Sequence, residues 1–224
     1  EEGLNILIDP FISNNPACQI PVEEFNPDII LVTHGHSDHL GDAMELSNKN
    51  NVPVAAIHEI SLFLSKQGIN NIGVNIGGSF IYRGVKFTML DAKHSSVLDI
   101  VEEPLPAGDA ASFLITLEDG TKLFHAGDTG LFGDMKTIIG EIYKPDIALF
   151  PIGDKFTMGP FEAALATRWI DSKVAIPMHY NTFPPIEQDP SIYANFVSQL
   201  NPNIDVVILN PGEYFEYNPE NYQD

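Results

Sequence analysis

The 224-residue chain has one cysteine, Cys18, and one tryptophan. A lone thiol cannot close an internal disulfide, so stability must come from packing or from bound metal, and this cysteine usage fits a reducing cytoplasm. Arginine is nearly as scarce: Arg83 and Arg168 are the whole complement, and 11 Lys plus Arg face 31 Asp plus Glu, a formal net charge of -20. Nucleic-acid binding rests on clustered Lys and Arg that displace counterions, so no nucleic-acid partner is expected. No apolar run approaches the roughly 18 residues that span a bilayer, and no membrane partner is expected either. Glu1 and Glu2 stand where an export signal would need a basic and then an apolar segment, which again points to a cytoplasmic protein.

With 44% apolar and 19% charged residues, the chain reads as globular rather than disordered. It shows no fixed repeat and no linker, so residues 1–224 are expected to form one domain. Strand-like runs recur at 4–8, 29–32, 53–57, 80–82, 85–90, 112–117, 121–125, 146–151, 173–178 and 204–209. Arg83-Gly84 and Asp119-Gly120 read as hairpin turns between such runs. Helical spacing occupies 40–49, 59–67, 134–143, 160–171 and 190–200. Two sheets packed face to face with helices outside accommodate this interleaving.

The densest chemical signal is Thr33-His34-Gly35-His36-Ser37-Asp38-His39-Leu40, directly after the run at 29–32. In an extended segment His34 and His36 fall on one side, because side chains alternate with period two, so both can reach one metal. Gly35 is expected to permit the tight backbone, and the turn toward a helix lets Asp38 and His39 serve a second ion. Lone histidines are usually structural, but three imidazoles and a carboxylate within six residues suit a metal site. One strand end cannot fill two coordination shells. His94, Asp128 and His179 each lie just past another apolar run and supply the remaining candidates.

This pattern resembles the signature of the metallo-β-lactamase fold hydrolases. The phrases Leu7-Ile8-Asp9-Pro10-Phe11, His125-Ala126-Gly127-Asp128-Thr129, Gly153-Asp154-Lys155-Phe156-Thr157-Met158-Gly159-Pro160 and Pro177-Met178-His179-Tyr180 are similar to one branch, the metal-dependent hydrolases related to ascorbate-phosphate lactonases. The resemblance covers about residue 4 to about 212. It implies an α/β fold, an αββα sandwich of two mixed sheets flanked by helices. It also implies that His34, His36 and His94 hold one metal, that Asp38, His39 and His179 hold the other, and that Asp128 bridges them. Branch members usually begin with an extra strand bearing a Gly-His pair before the Ile-Asp-Pro segment, and that strand is expected to be missing from the sequence as given. The acidic, Tyr- and Asn-rich tail at 213–224 matches nothing in the branch. Relatives often assemble, so a homo-oligomer is one option.

The chemistry expected of such a centre is hydrolysis of a small ester, lactone or phosphodiester by a hydroxide bridging two divalent metals, since metal lowers the pKa of water from about 15.7 to about 7. Asp38 is the group expected to orient that water and take its proton. Zinc suits five imidazoles and two carboxylates, and manganese and iron accept the same donors. The centre's residual positive charge can hold an anionic group, with Lys155 and Asn181 as candidate contacts to a small-molecule substrate. His125 reads as a buried packing or supporting histidine, His58 as a surface cap, and Asp9 as a carboxylate steadying a ligand imidazole. Thr157 and Met158 are expected to shape the loop before the helix at 160. The alternatives are a thiolester hydrolase of the glyoxalase type, or a metal-binding protein without turnover. An oxygen-reducing iron centre usually replaces His36 with Glu and adds a flavin domain, for which this length leaves no room.

Overall fold

A computed structural model describes residues 3–222 of the chain. The first sheet is parallel and is assembled from β1 (Ile6–Ile8), β2 (Ile29–Leu31), β3 (Val54–Ile57) and β4 (Asn71–Val74), in that order. Ile29, Ile30, Leu31 and Val32 are wholly buried, as expected of a parallel strand covered on both faces. The short α1 (Ser37–Leu40) follows β2, with α2 (Ala43–Asn50) after it, and α3 (His58–Lys66) links β3 to β4. A single helix over 40–49 is not what forms. Gly41 interrupts it at φ 42°, and a Cβ there would lie 2.3 Å from the Pro10 carbonyl oxygen. The break lets Asp42 accept hydrogen bonds from the Ile12 and Ser13 amides, which seats the loop after β1 beside α1.

The second sheet is larger and mixed. It contains β5 (Ser79–Tyr82) and β6 (Val85–Asp91); after the small β7 (Val97–Leu98) and β8 (Leu105–Pro106) hairpin come β9 (Ala111–Thr116), β10 (Lys122–His125), β11 (Ile147–Pro151), β12 (Val174–Met178) and β13 (Asp205–Val206). Its order is β13-β12-β11-β10-β9-β6-β5. Arg83 and Gly84 both take positive φ in the β5–β6 turn, as that two-residue hairpin requires. Alternation along the strands separates two cores. Phe87, Met89, Phe113 and Ile115 face the first sheet, while Leu90, Leu114, Phe124 and Phe150 face α4 (Pro160–Ile170) and α5 (Pro190–Leu200). Each such side chain contributes roughly 1.5–3 kcal/mol by leaving water. This is a mixed α/β fold with helices outside two packed sheets, as the residue pattern predicts.

Several expectations shift in detail. The segment 134–143 winds as a π-helix, Met135–Tyr143. The run at 204–209 pairs only over Asp205–Val206, and β4, β7 and β8 were not anticipated. His58 is exposed at the start of α3 but its side chain makes no capping bond there. The tail acquires a place: Tyr217 and Pro219 cover an apolar crevice lined by Ile6, Ile8, Leu123 and Ile147, with Tyr217 stacked on Tyr222. Among the described residues no helix is long and apolar enough to cross a membrane.

Pairing directions decide where side chains can meet. β6 and β10 are both antiparallel to β9, and β10, β11 and β12 run parallel, so β6, β10 and β12 end at the same edge of their sheet. Residues that follow these three strands therefore share one rim.

Candidate metal centre

His94, Asp128 and His179 follow β6, β10 and β12, and His34 to His39 follow β2. The structure brings all seven together. Three sets of side chains each place their donor atoms within 4.8 Å of one another: His34, His36 and His94; His34, His39 and Asp128; and Asp38, His39 and His179. Asp128 is the hub. Its Oδ2 lies 3.2 Å from His179 Nε2, 3.4 Å from His39 Nε2 and 3.6 Å from His94 Nε2. The His34 and His36 rings meet edge-on at an interplanar angle of 80°, with Nε2 and Nδ1 2.9 Å apart.

Backbone and neighbours fix this arrangement. Gly35 does not take a left-handed backbone. Its requirement is closeness, since a Cβ would sit 2.7 Å from the Ala107 Cβ and 2.8 Å from the Val97 carbonyl oxygen. Asp9 and His179 do take positive φ, 48° and 55°, a conformation that costs non-glycine residues about 1–3 kcal/mol and tends to persist where surrounding contacts enforce it.

The enforcing contacts around Asp9 are visible. Its Oδ1 accepts from the Thr33 amide at 2.8 Å, and its Oδ2 accepts from Thr33 Oγ1 at 2.7 Å and from His39 Nδ1 at 2.8 Å. Thr33 Oγ1, having donated to Asp9, can accept from His34 Nδ1 at 3.0 Å. One buried carboxylate thus orients His39 directly and His34 through a hydroxyl, leaving His39 Nε2 to face Asp128 and His34 Nε2 to face His36. Thr33 was not recognised in the sequence as more than part of the His motif. Thr129, also unrecognised, accepts from the Lys93 amide and ties the His94 loop to the Asp128 loop.

Charge and burial act against each other here. Burial opposes ionising Asp128 and Asp9, but the adjacent imidazoles, His39 foremost, outweigh it and hold both carboxyls below the usual range, Asp128 well below. Burial likewise opposes a charged His39, yet Asp128 and Asp9 raise its pKa well above the ordinary imidazole value. His34, buried and beside His39, is pushed down to about 2. Burial also lowers His94. Within the site two polar atoms, His39 Nε2 and Asp128 Oδ1, are buried with no hydrogen-bond partner. Buried polar atoms are rarely orphaned, and orphans aimed among imidazoles and carboxylates fit divalent ions as the missing partner.

The other candidates lie outside this cluster. Lys155 is exposed, its ammonium 5.3 Å from the Phe156 ring centroid. Asn181 ties its own loop, with Oδ1 accepting from the Gln188 amide at 2.8 Å. Met158 is buried and its amide donates to the Thr129 carbonyl, which docks the 154–158 loop on the rim. His125 is part of a cleft of about 230 Å³ that opens beside Asp38, His39 and His179, whose other walls include Phe11, Asn15, Met178 and Thr182. Asn15 and Thr182 were not singled out in the sequence, where no pattern marks them, and Phe11 stood out only as the end of the Leu7–Phe11 phrase.

Comparison with known proteins agrees with this architecture. A family model described as the β-lactamase superfamily domain matches residues 4–180. A metal-dependent hydrolase of family UPF0173 from Methanobrevibacter smithii is 99% identical over 224 residues, covering 100% of this chain and 94% of that protein. The chain belongs to this family of the β-lactamase superfamily. The UPF0173 member of Methanosphaera stadtmanae is 57% identical over 214 residues, 95% of this chain and 92% of its own length. Among solved structures, Igni18, described as a novel metallo hydrolase from the hyperthermophilic archaeon Ignicoccus hospitalis, matches this UPF0173 chain with a TM-score of 0.86 at 38% identity, covering 97% of this chain and 93% of its own.

Proposed function

We propose that the protein is a cytoplasmic dinuclear metal-dependent hydrolase acting on a small ester, lactone or phosphodiester. The observation that carries this reading is the single Asp128 oxygen surrounded by His39, His94 and His179 at 3.2–3.6 Å, with Asp128 Oδ1 left unpartnered. His34, His36 and His94 would hold one ion, Asp38, His39 and His179 the other, and Asp128 would lie between them. Zinc is the ion we expect, with manganese or iron accommodated by the same donors. When bound, such a pair supplies Lewis acidity and water of lowered pKa.

The chain's own groups divide the remaining work. Asp9 and Thr33 hold His39 and His34 in one tautomer and one orientation. Asp38 faces the cleft and is the more open of the two carboxylates, its side chain 29% exposed against 5% for Asp128. It is therefore placed to accept a proton from the attacking water, while Asp128 stays ionised. Neither a Ser nor a Cys nucleophile is needed, and Cys18 lies in a separate surface loop.

Metal analysis of the purified protein, then turnover on generic esters, lactones and bis(p-nitrophenyl) phosphate before and after chelation, tests the proposal. The expected result is about two ions per chain and activity that chelation abolishes and zinc restores. A protein that takes up no metal, or that turns over none of these substrates when loaded, overturns it.

A further inference from the structure

Resting on the hydrolase reading, we infer that the site selects a small substrate carrying no negative charge beyond its reacting group. The cleft beside Asp38, His39 and His179 holds about 230 Å³, below the roughly 300–1,000 Å³ of pockets that bury drug-sized ligands. Its walls beyond the metal-ligating set are Ile8, Phe11, Met178, Asn15, Thr182 and His125, together with Asp9 and Gly127, and Asp9 is itself a carboxylate. Among the described residues no Lys or Arg lines it. The Asn15 amide is committed within its own loop, Nδ2 donating to the Phe11 carbonyl and Oδ1 accepting from the Ala17 amide. His125 Nδ1 accepts from the Gly127 amide, so its proton sits on Nε2, and burial lowers its pKa and keeps the ring neutral. Thr182 offers a hydroxyl. These groups can solvate a carbonyl, an amide or an alcohol, but an anion among them would lose its water without gaining a counter-charge.

The two lysines carried by the site's own loops do not enter the cleft: Lys93, next to His94, is paired with Asp91, and Lys155 rests over Phe156. The rim adds repulsion. The β7–β8 hairpin carries exposed Asp99, Glu102 and Glu103 and is tied to the His motif by Ser37 Oγ donating to Asp99 at 3.3 Å and the Gly35 amide donating to Ser96 at 3.2 Å. Bound ions bring positive charge to the reacting group, whereas the walls bring none to the rest of the substrate. The hairpin's carboxylates add negative potential beside the His motif.

The test uses two isosteric methyl esters with the zinc-loaded protein, methyl succinamate and the monomethyl ester of succinate as its carboxylate, with methanol release corrected for the hydroxide background. The amide is expected to have a kcat/KM at least about tenfold higher. Equal or reversed values, or no turnover of either ester by a preparation that hydrolyses the general panel, overturn the substrate class and leave the hydrolase reading standing. Failure of that whole panel overturns the hydrolase reading, and this inference with it. A variant probes the wall itself: Thr182→Lys places a cation in the cleft and is expected to shift the ratio toward the carboxylate by about tenfold. An unchanged ratio, together with unchanged inhibition by succinate relative to succinamide, overturns the placement of substrate in this cleft.

Discussion

His34, His39 and Asp128 sit at strand ends between two packed sheets, and Asp9 and Thr33 hold the two imidazoles by hydrogen bonds of 2.7–3.0 Å. Phe11, Asn15 and Thr182, a few ångströms away on the other side of the same cleft, hang from loops and pack on one another's neighbours, as Phe11 does on Phe183 at a 6.0 Å ring separation. The ligating rim is thus over-determined and the cleft wall is not. The difference follows from what each must do: donors for a metal tolerate displacements of a few tenths of an ångström, whereas a wall need only have shape and polarity. Substitutions should accordingly be costly at the rim, graded with distance from Asp128, and mild at the wall's periphery.

The largest effect is expected at the hub. Asp128→Ala removes the oxygen that His39, His94 and His179 all face, and bound metal and turnover should both fall by more than about 100-fold. Elemental analysis and the esterase assay check this together. Wild-type metal content in the variant would break the contrast between rim and wall at its strongest point.

Asp9→Asn should come next. It keeps the volume but takes away the charge that orients His39 and, through Thr33, His34, and a loss of about 10–100-fold in metal affinity is expected. The pH behaviour supplies an independent readout. In the metal-free protein His39 titrates well above the ordinary value of 6.5, so its protonated form stabilises the fold fully below that pH, and this stability is lost as pH rises through the folded-state pKa. Asp9, lowered from 3.8, contributes in the opposite sense: its share is present above that pH and is lost as pH falls through its folded value. Thermal melts of metal-free protein should therefore decline on the alkaline side and decline less in Asp9→Asn. Metal uptake near pH 7 should release about one proton in the wild type, measurable by calorimetry in buffers of different ionisation enthalpy.

Thr33→Val is the sharper test of the relay. The backbone bond from Thr33 to Asp9 survives, and only the hydroxyl between Asp9 and His34 is lost. We expect a stability loss of about 1–3 kcal/mol from the unpartnered His34 Nδ1, read in denaturant melts, and a smaller drop in metal affinity than Asp9→Asn produces. An equal drop would mean that Asp9 acts through Thr33 alone.

The same contrast explains what could be read in advance. Strand ends announce themselves, because β-branched runs such as Ile29-Ile30-Leu31 are followed by residues rare in loops, and an imidazole beside a carboxylate is chemically specific. The strand over 85–90 was legible for the same reason, whereas the division of Phe87 and Met89 from Leu90 between two cores emerges only in the fold. β4 was not, since Asn71 and Gly73 carry little strand preference and the element owes its form to pairing with β3. Nor was the break at Gly41, which answers to the Pro10 carbonyl thirty-one residues earlier in the chain. Thr33 was in plain view but its role is a tertiary one, made by Asp9 arriving from β1. The cleft wall was invisible because Phe, Asn and Thr are common in loops and nothing in their order says that three loops meet.

Lys155 marks the far end of the scale. A lysine within a loop that docks on the rim suggests a cation for substrate, but the ammonium rests over Phe156, in solvent, and does not line the cleft. An exposed cation of this kind is screened, and its interactions are worth at most about 1 kcal/mol. Lys155→Ala should therefore change kcat/KM for an uncharged ester by less than about twofold, and for an anionic ester by no more than the screened attraction of one surface charge. That second number is the informative one. If removing Lys155 cut turnover of the anionic ester tenfold while sparing the neutral one, the loop at 154–158 would have to swing over the cleft during turnover, and the wall would then include a cation that the resting arrangement holds away from it.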